Sequence, residues 1–321
     1  MSEQVSRVLV SQLRDWGTTV VVEEAEVAAE AAGGWAVVAM EAAALTHLDL
    51  TVMSGRFSYR PTLPFTPGTA GVGRVLSGDP AVRGRRVLIR GAGVGLELPG
   101  TWAQRVTVPT SALRVIPERV DAALAATCYS PMTTAWAAAG PVGDIKPGQR
   151  VLVTGAAGGV GSMTVQLAAR AGAHVIALVR NEADAAAVPP AAAEILTGGA
   201  DLAARLREHG GVDVVLDTVG GDTVPTVLPA IEPGGRVVMI GYVGGKTLTV
   251  DLPTLLAADV ALLPMNMVRR HVPDDVFDTL LTELGAGTLT LQTNTYPFTG
   301  INEALAARTS GSIKGTLALI M

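Results

Sequence analysis

The sequence predicts a two-domain α/β protein: a β-rich N-terminal domain followed by a parallel-sheet domain built from βαβ units. Three observations carry this. The chain has 321 residues, two domains' worth at about 150 residues each. Its periodicity changes near residue 122, from short strands punctuated by Gly and Pro to strands alternating with helix-length segments. A glycine-rich turn then joins a strand to a helix early in the second region.

In the first region, residues 8–10 and 18–23 read as a strand pair and residues 35–41 as a further strand. Residues 61–75 form a Pro/Gly-rich approach to another. Arg86–Arg90 and residues 103–108 follow, with Gly91, Gly93, Gly95 and Gly100 between them. Short strands spaced this way predict a small barrel or sandwich. Residues 122–143 carry no charge over a bilayer-length stretch. They are mostly Ala with Thr, Ser and Tyr, and Pro131, Gly140 and Pro141 interrupt them, so they predict a buried helix rather than a membrane span.

The second region alternates. Arg150–Thr154, His174–Val179, Val212–Asp217 and residues 235–241 read as buried strands. Residues 159–171, 200–209, 219–228 and Leu252–Ala258 read as helices, and residues 315–321 as a closing strand. The Glu/Ala-rich residues 23–32 and the Ala/Pro-rich residues 183–193 are expected to be surface segments.

Composition excludes several functions. The chain has 24 basic and 29 acidic residues and no Lys/Arg run, hence no electrostatic footprint for nucleic acid or anionic lipid. Cys128 is the sole cysteine, and His47, His174, His209 and His271 are scattered, so neither an intrachain disulfide nor a Cys-rich zinc site is possible. Charges lie where a signal peptide's apolar core would be, and the chain is expected to be cytoplasmic.

The strongest local signal is residues 151–161, a G-x-G-x-x-G variant with Ala156 in the first slot, then Gly158 and Gly161, with Gly159 and Val160 between. Such a turn lets the backbone approach a pyrophosphate and packs the helix close to the strand, while the helix N-terminus offers N–H groups and partial positive charge. A NAD site wants an acid at the end of the second strand. Here Val179 stands there, with Arg180 and Asn181 next. A guanidinium suits a 2′-phosphate, so NADPH is favoured over NADH; an ordinary solvated arginine is the other reading of Arg180.

Taken together, Thr46-His-Leu-Asp-Leu, Leu63-Pro-Phe-Thr-Pro-Gly68, Gly100-Thr-Trp-Ala-Gln104, Thr134-Ala-Trp136, Ala156 to Gly161, Val212 to Gly221, Gly235 to Gly241 and Gly311-Ser-Ile-Lys-Gly315 resemble the medium-chain dehydrogenases/reductases, in the zinc-free quinone oxidoreductase and enoyl reductase branch. The resemblance implies a GroES-like β-rich domain (residues 1–122, completed by 265–321) and a doubly wound Rossmann domain (residues 123–264). It implies NADPH, a small-molecule substrate, a homodimer, and hydride transfer to a quinone or an electron-poor C=C. By position it places Thr134, Gly241, Tyr242, Val243 and Met265 near the nicotinamide.

The departures are specific. The zinc-dependent relatives' catalytic Cys, Gly-His-Glu and Cys cluster are missing, and Thr46 replaces the family's Asn. Thr51 and Phe57 stand where two cleft tyrosines are usual, with Tyr59 nearby. An enone reductase also needs a donor to the enolate oxygen, for which Thr46, Tyr59 and Tyr129 are the candidates. A dedicated enoyl-thioester reductase, with a carrier protein presenting its substrate, and a catalytically lapsed NADPH-binding scaffold are the other readings. Few aromatic residues, 4% of the chain, favour aliphatic substrates.

Overall fold

The computed structural model describes residues 5–58 and 60–321, apart from the side chain of Val268. The chain divides into two compact units, one running to Tyr129 and resuming at Thr293–Met321, the other Ser130–Gln292.

The first unit is the expected β-rich domain. Strands β1 (Val5–Gln12) and β2 (Val21–Ala28) pair antiparallel as a ribbon. A larger sheet combines β3 (Trp35–Ala44), β4 (Ala70–Ser77), β5 (Arg86–Arg90), β6 (Arg105–Pro109), β7 (Leu113–Val115), β14 (Thr293–Pro297) and β15 (Thr316–Ile320). Its order is β14-β15-β3-β4-β5-β7, with β6 also on β3. Helices α1 (His47–Met53), α2 (Ala122–Thr127) and α9 (Ile301–Thr309) belong to the same unit.

Two glycines bring distant segments together here. Gly68 has φ +107°, and a Cβ on it would lie 2.5 Å from the Trp102 ring; a Cβ on Gly100 would lie 2.4 Å from the Gly68 carbonyl. Only hydrogen fits on either face. Trp102 is fully buried behind them, its indole N–H donating to the Ala44 carbonyl at 2.8 Å. Arg86 is buried but answered, donating to Glu41 at 2.8 Å and to the carbonyls of Pro117, Glu118 and Val120.

The second unit has six parallel strands, β8 (Arg150–Thr154), β9 (His174–Val179), β10 (Glu194–Thr197), β11 (Val212–Asp217), β12 (Ile231–Met239) and β13 (Ala261–Pro264), in the order β10-β9-β8-β11-β12-β13. This is the doubly wound Rossmann arrangement, with its topological switch between β8 and β11. Near-continuous apolar runs mark strands covered on both faces: Leu152, Ile176, Val215 and Val237 are all fully buried. The helices are α3 (Tyr129–Ala137, beginning at the unit boundary), α4 (Gly159–Arg170), α5 (Leu202–Glu208), α6 (Thr223–Val227), α7 (Leu252–Ala258) and α8 (Asp274–Gly285).

Four details differ from the sequence expectation. Residues 23–32 lie at the surface as expected, but largely as strand β2 rather than loop: Arg14 pairs with Glu23 at 2.5 Å and Arg7 with Glu26 at 3.7 Å. Residues 122–143 are two helices and a π-turn over Ala138–Val142, which accommodates Pro141. The short edge strands β10 and β13 carry too little periodicity to be read. The chain also leaves the second unit at residue 293 rather than 265. Helix α8 buries Phe277, Leu280, Leu281 and Leu284, while the Gln166 amide of α4 bonds both the N–H and the carbonyl of Thr290. No helix among the described residues is long and apolar enough to cross a membrane.

Candidate functional site

The glycine turn leaves the C-terminal end of β8 at the switch point, where open parallel sheets bind ligands. The structure moves one role in the motif. The residue in the left-handed region is Gly155, at φ +62°, and a Cβ there would lie 2.6 Å from the Thr218 hydroxyl oxygen. Ala156, expected in the first slot, is a buried residue whose N–H bonds to the Leu178 carbonyl. The strand-then-Gly dipeptide Thr154-Gly155 was the available signal.

Gly161 has the packing role. A Cβ on it would stand 2.1 Å from the Gly155 carbonyl oxygen and 3.0 Å from the Ala156 Cα. The first turn of α4 therefore lies directly on the loop. Its N-cap is Gly158, with φ −84° and ψ 170°, and no side chain caps the helix. Gly158, Gly159 and Val160 are half-buried. A helix start whose N–H groups lack a side-chain acceptor, on a loop where a Cβ would intrude, fits an incoming pyrophosphate.

Behind the loop lies a network that sequence reasoning did not identify as part of the site. The buried Thr154 hydroxyl donates to Asp217 at 2.6 Å and accepts from the Thr218 N–H at 2.9 Å; the Thr218 hydroxyl donates back to the Thr154 carbonyl at 2.7 Å. Asp217, 1% exposed, also accepts from the N–H groups of Val219 and Gly220. Its charge is thus satisfied by donors rather than by a cation. The loop after β12 packs on the same ridge: a Cβ on Gly241 would meet the Thr218 carbonyl at 2.2 Å, and the Gly244 N–H bonds to the Val219 carbonyl at 2.8 Å. The run Asp217-Thr-Val-Gly-Gly221 was the only trace of this arrangement.

Other expected residues are placed as follows. Tyr242 and Val243 are 56% and 60% exposed on the β12 loop. The Met265 N–H bonds to the Met239 carbonyl at 3.0 Å, holding it at the end of β12. Thr134 is buried in α3. Arg180 projects from the end of β9, 3.6 Å from Asp184, and Asn181 caps the following turn by accepting from the Asp184 N–H. Asn181 therefore has a structural task, whereas Arg180 is largely exposed.

In the first unit, Thr46 and Asp49 form a capping box at the start of α1. The Thr46 hydroxyl donates to Asp49 at 2.6 Å and its N–H at 2.7 Å, while the Thr69 N–H donates to the other Asp49 oxygen at 2.9 Å. The Thr46 hydrogen is thus engaged inside the protein. Burial pushes the Asp49 pKa up, against these bonds. Tyr129 lies under the Arg90 guanidinium, 5.0 Å from ring centroid to Cζ, a cation–π distance. His47 has its pKa lowered by desolvation first and by the Arg308 charge second. Burial pushes the Cys128 thiol up to about 12, leaving it inert. Tyr59 lies outside the described residues.

Known proteins agree with this architecture. Residues 32–118 match the family model of the alcohol dehydrogenase GroES-like domain, and residues 159–283 that of the zinc-binding dehydrogenases. Over 199 residues, 61% of this chain and 52% of the relative, the sequence is 30% identical to prostaglandin reductase-3 of Bos taurus. Over 153 residues, 47% of this chain and 45% of the relative, it is 32% identical to acryloyl-coenzyme A reductase of Sulfurisphaera tokodaii. The chain thus matches about half the length of these curated relatives. A quinone oxidoreductase of Pseudomonas syringae pv. Tomato DC3000 superposes with a TM-score of 0.83 at 26% identity, over 98% of this chain and 100% of that one. A GroES-like domain, a doubly wound Rossmann domain and these matches together show that the chain belongs to the medium-chain dehydrogenase/reductase superfamily.

Proposed function

We propose that the chain is a zinc-independent, NADPH-dependent reductase that passes a hydride to a quinone or an α,β-unsaturated carbonyl compound. The observation that carries this is the uncapped start of α4, seated on the glycine loop at the switch point. The N–H groups of Gly159, Val160 and Gly161 would hold the pyrophosphate. Arg180, with no acid in the preceding position, would pair with a 2′-phosphate. Thr134, Gly241 to Val243 and Met265 would hold the nicotinamide end. The chemistry supplied by the bound cofactor is delivery of a hydride to an electron-poor carbon.

The rest falls to the chain's own side chains. Thr46 gives its hydrogen to Asp49, and we assign the enolate-stabilising role to Tyr129, whose ring lies under Arg90. Thr46 and Asp49 then act as positioning residues. The zinc-independent reading is supported by the cysteine inventory, one buried thiol in the whole chain. A second reading, reduction of an enoyl thioester, is favoured by the likeness to a protein named acryloyl-coenzyme A reductase; its substrate would be a small coenzyme or carrier-protein thioester.

We place the protein in the cytoplasm as a homodimer. Leu252 and Leu256 are 70% and 77% exposed on α7, which buries no residue and precedes the edge strand β13 in the chain; these exposed apolar side chains support the homodimer reading. The test of function is cofactor consumption with NADPH and NADH against a benzoquinone, an aliphatic enone and an enoyl-coenzyme A. Turnover of at least one acceptor with a marked NADPH preference is expected. Binding of NADPH with no turnover on any acceptor would favour a lapsed enzyme and overturn the proposal.

A further inference from the structure

Unit 1 carries a positive charge that no described residue answers with a hydrogen bond or an ion pair. Arg90, at the end of β5, sits among protein atoms yet keeps part of its surface open to solvent. Among the described residues its guanidinium has one neighbour of note, the Tyr129 ring at 5.0 Å, and no hydrogen bond or ion pair. A recessed arginine normally finds a carboxylate or a set of carbonyls, as Arg86 on the same strand does.

Among the described residues, the one carboxylate whose charge acts on Arg90 is Asp49. Its two oxygens are already taken by Thr46 and by the Thr69 N–H. Asp49 also faces a second cation, Arg308, which is 9% exposed and whose Nε has no hydrogen-bond partner. Two recessed arginines thus share one carboxylate that hydrogen-bonds to neither. A strained turn follows directly. Gly91, Ala92 and Gly93 are all left-handed, at φ +80°, +47° and +80°. For Ala92 this conformation is costly, and strain of this kind concentrates at functional sites.

We infer that Arg90, lying over Tyr129, is the anchor for an acidic group on the substrate, so that the preferred acceptors are unsaturated carbonyl compounds bearing a carboxylate. This rests on the reductase reading. A guanidinium recognises a planar carboxylate through paired N–H bonds, and a site partly shielded from water strengthens that contact. Arg90 thereby sets specificity and holds Tyr129 in place, without itself exchanging a proton.

The experiment compares β-acetylacrylate with its methyl ester as acceptors for the protein and its Arg90→Gln and Arg90→Lys variants. The native protein should prefer the acid. In Arg90→Gln the acid-to-ester ratio of kcat/KM should fall about ten- to a hundredfold, mainly through KM of the acid, with partial recovery in Arg90→Lys. A calorimetric titration with the saturated, unreactive levulinate supplies a readout that needs no turnover, and thermal unfolding checks that the variants fold. Levulinate binding lost in Arg90→Gln supports the inference even if no acceptor is reduced, an outcome that refutes only the reductase reading. Equal acid-to-ester ratios in native protein and variant, or no levulinate binding to the native protein, overturn the inference whether or not the ester is reduced.

Discussion

Replacing Gly161 by alanine tests the packing of α4 on the phosphate loop. The new methyl would stand 2.1 Å from the Gly155 carbonyl oxygen and 2.7 Å from its carbon. Both are backbone atoms, so no side chain can swing aside, and either the loop or the helix must move. Overpacking of this kind costs about 1–3 kcal/mol. In a domain of this size each kcal/mol lowers the midpoint by about 2–4 °C, so a cost of about 2 kcal/mol lowers it by about 4–8 °C. A displaced helix start also misaims the N–H groups toward phosphate, and NADPH affinity should fall at least about tenfold, equivalent to 1.4 kcal/mol. Gly198→Ala in the same unit is the control, since a Cβ there meets nothing within 4 Å. The readouts are thermal unfolding without cofactor and a fluorescence titration with NADPH. A Gly161→Ala protein that unfolds and binds NADPH like the control would refute the reasoning.

Three further outcomes are expected. Arg180→Asp should weaken NADPH binding strongly and NADH binding little, measured as the ratio of the two dissociation constants. Thr154→Val removes the hydroxyl that donates to Asp217 and accepts from the Thr218 N–H, leaving buried polar groups short of a partner; it should cost about 1–3 kcal/mol in denaturant unfolding. His47 has a folded pKa below 6.5, so the unfolded chain binds more protons in that range and stability drops as pH falls through it. Thermal melts of His47→Asn should show a shallower loss than the native protein over that interval.

The parallel-sheet domain was the most legible part of the fold. Arg150–Thr154, His174–Val179 and Val212–Asp217 are short apolar runs flanked by Gly or polar residues, and this pattern is readable from the sequence alone. Strands β10 and β13 were not, because each is only 4 residues long, too short for a period to show. At the site, Gly158 and Gly161 were readable because a phosphate loop constrains spacing. The roles of Gly155 and Asp217 were not, since each depends on a neighbour over 60 positions away, Thr218 for the first and Thr154 for the second. Arg90 was invisible for the same reason: its meaning lies in the missing partner, which only three-dimensional packing reveals. The engagement of Thr46 by Asp49 was hidden until the capping box was seen.

The most direct test of the account is isotope transfer. The protein is incubated with NADPH deuterated at the nicotinamide position that carries the hydride, together with an enone acceptor, whose new C–D bond does not exchange with water as the O–D of a hydroquinone does, and the product is analysed by mass spectrometry. One deuterium is expected in the reduced product, at the β-carbon of the enone, with Gly161→Ala slowing its appearance. NADPH that is neither bound nor consumed, or a reduced product free of deuterium, would contradict it.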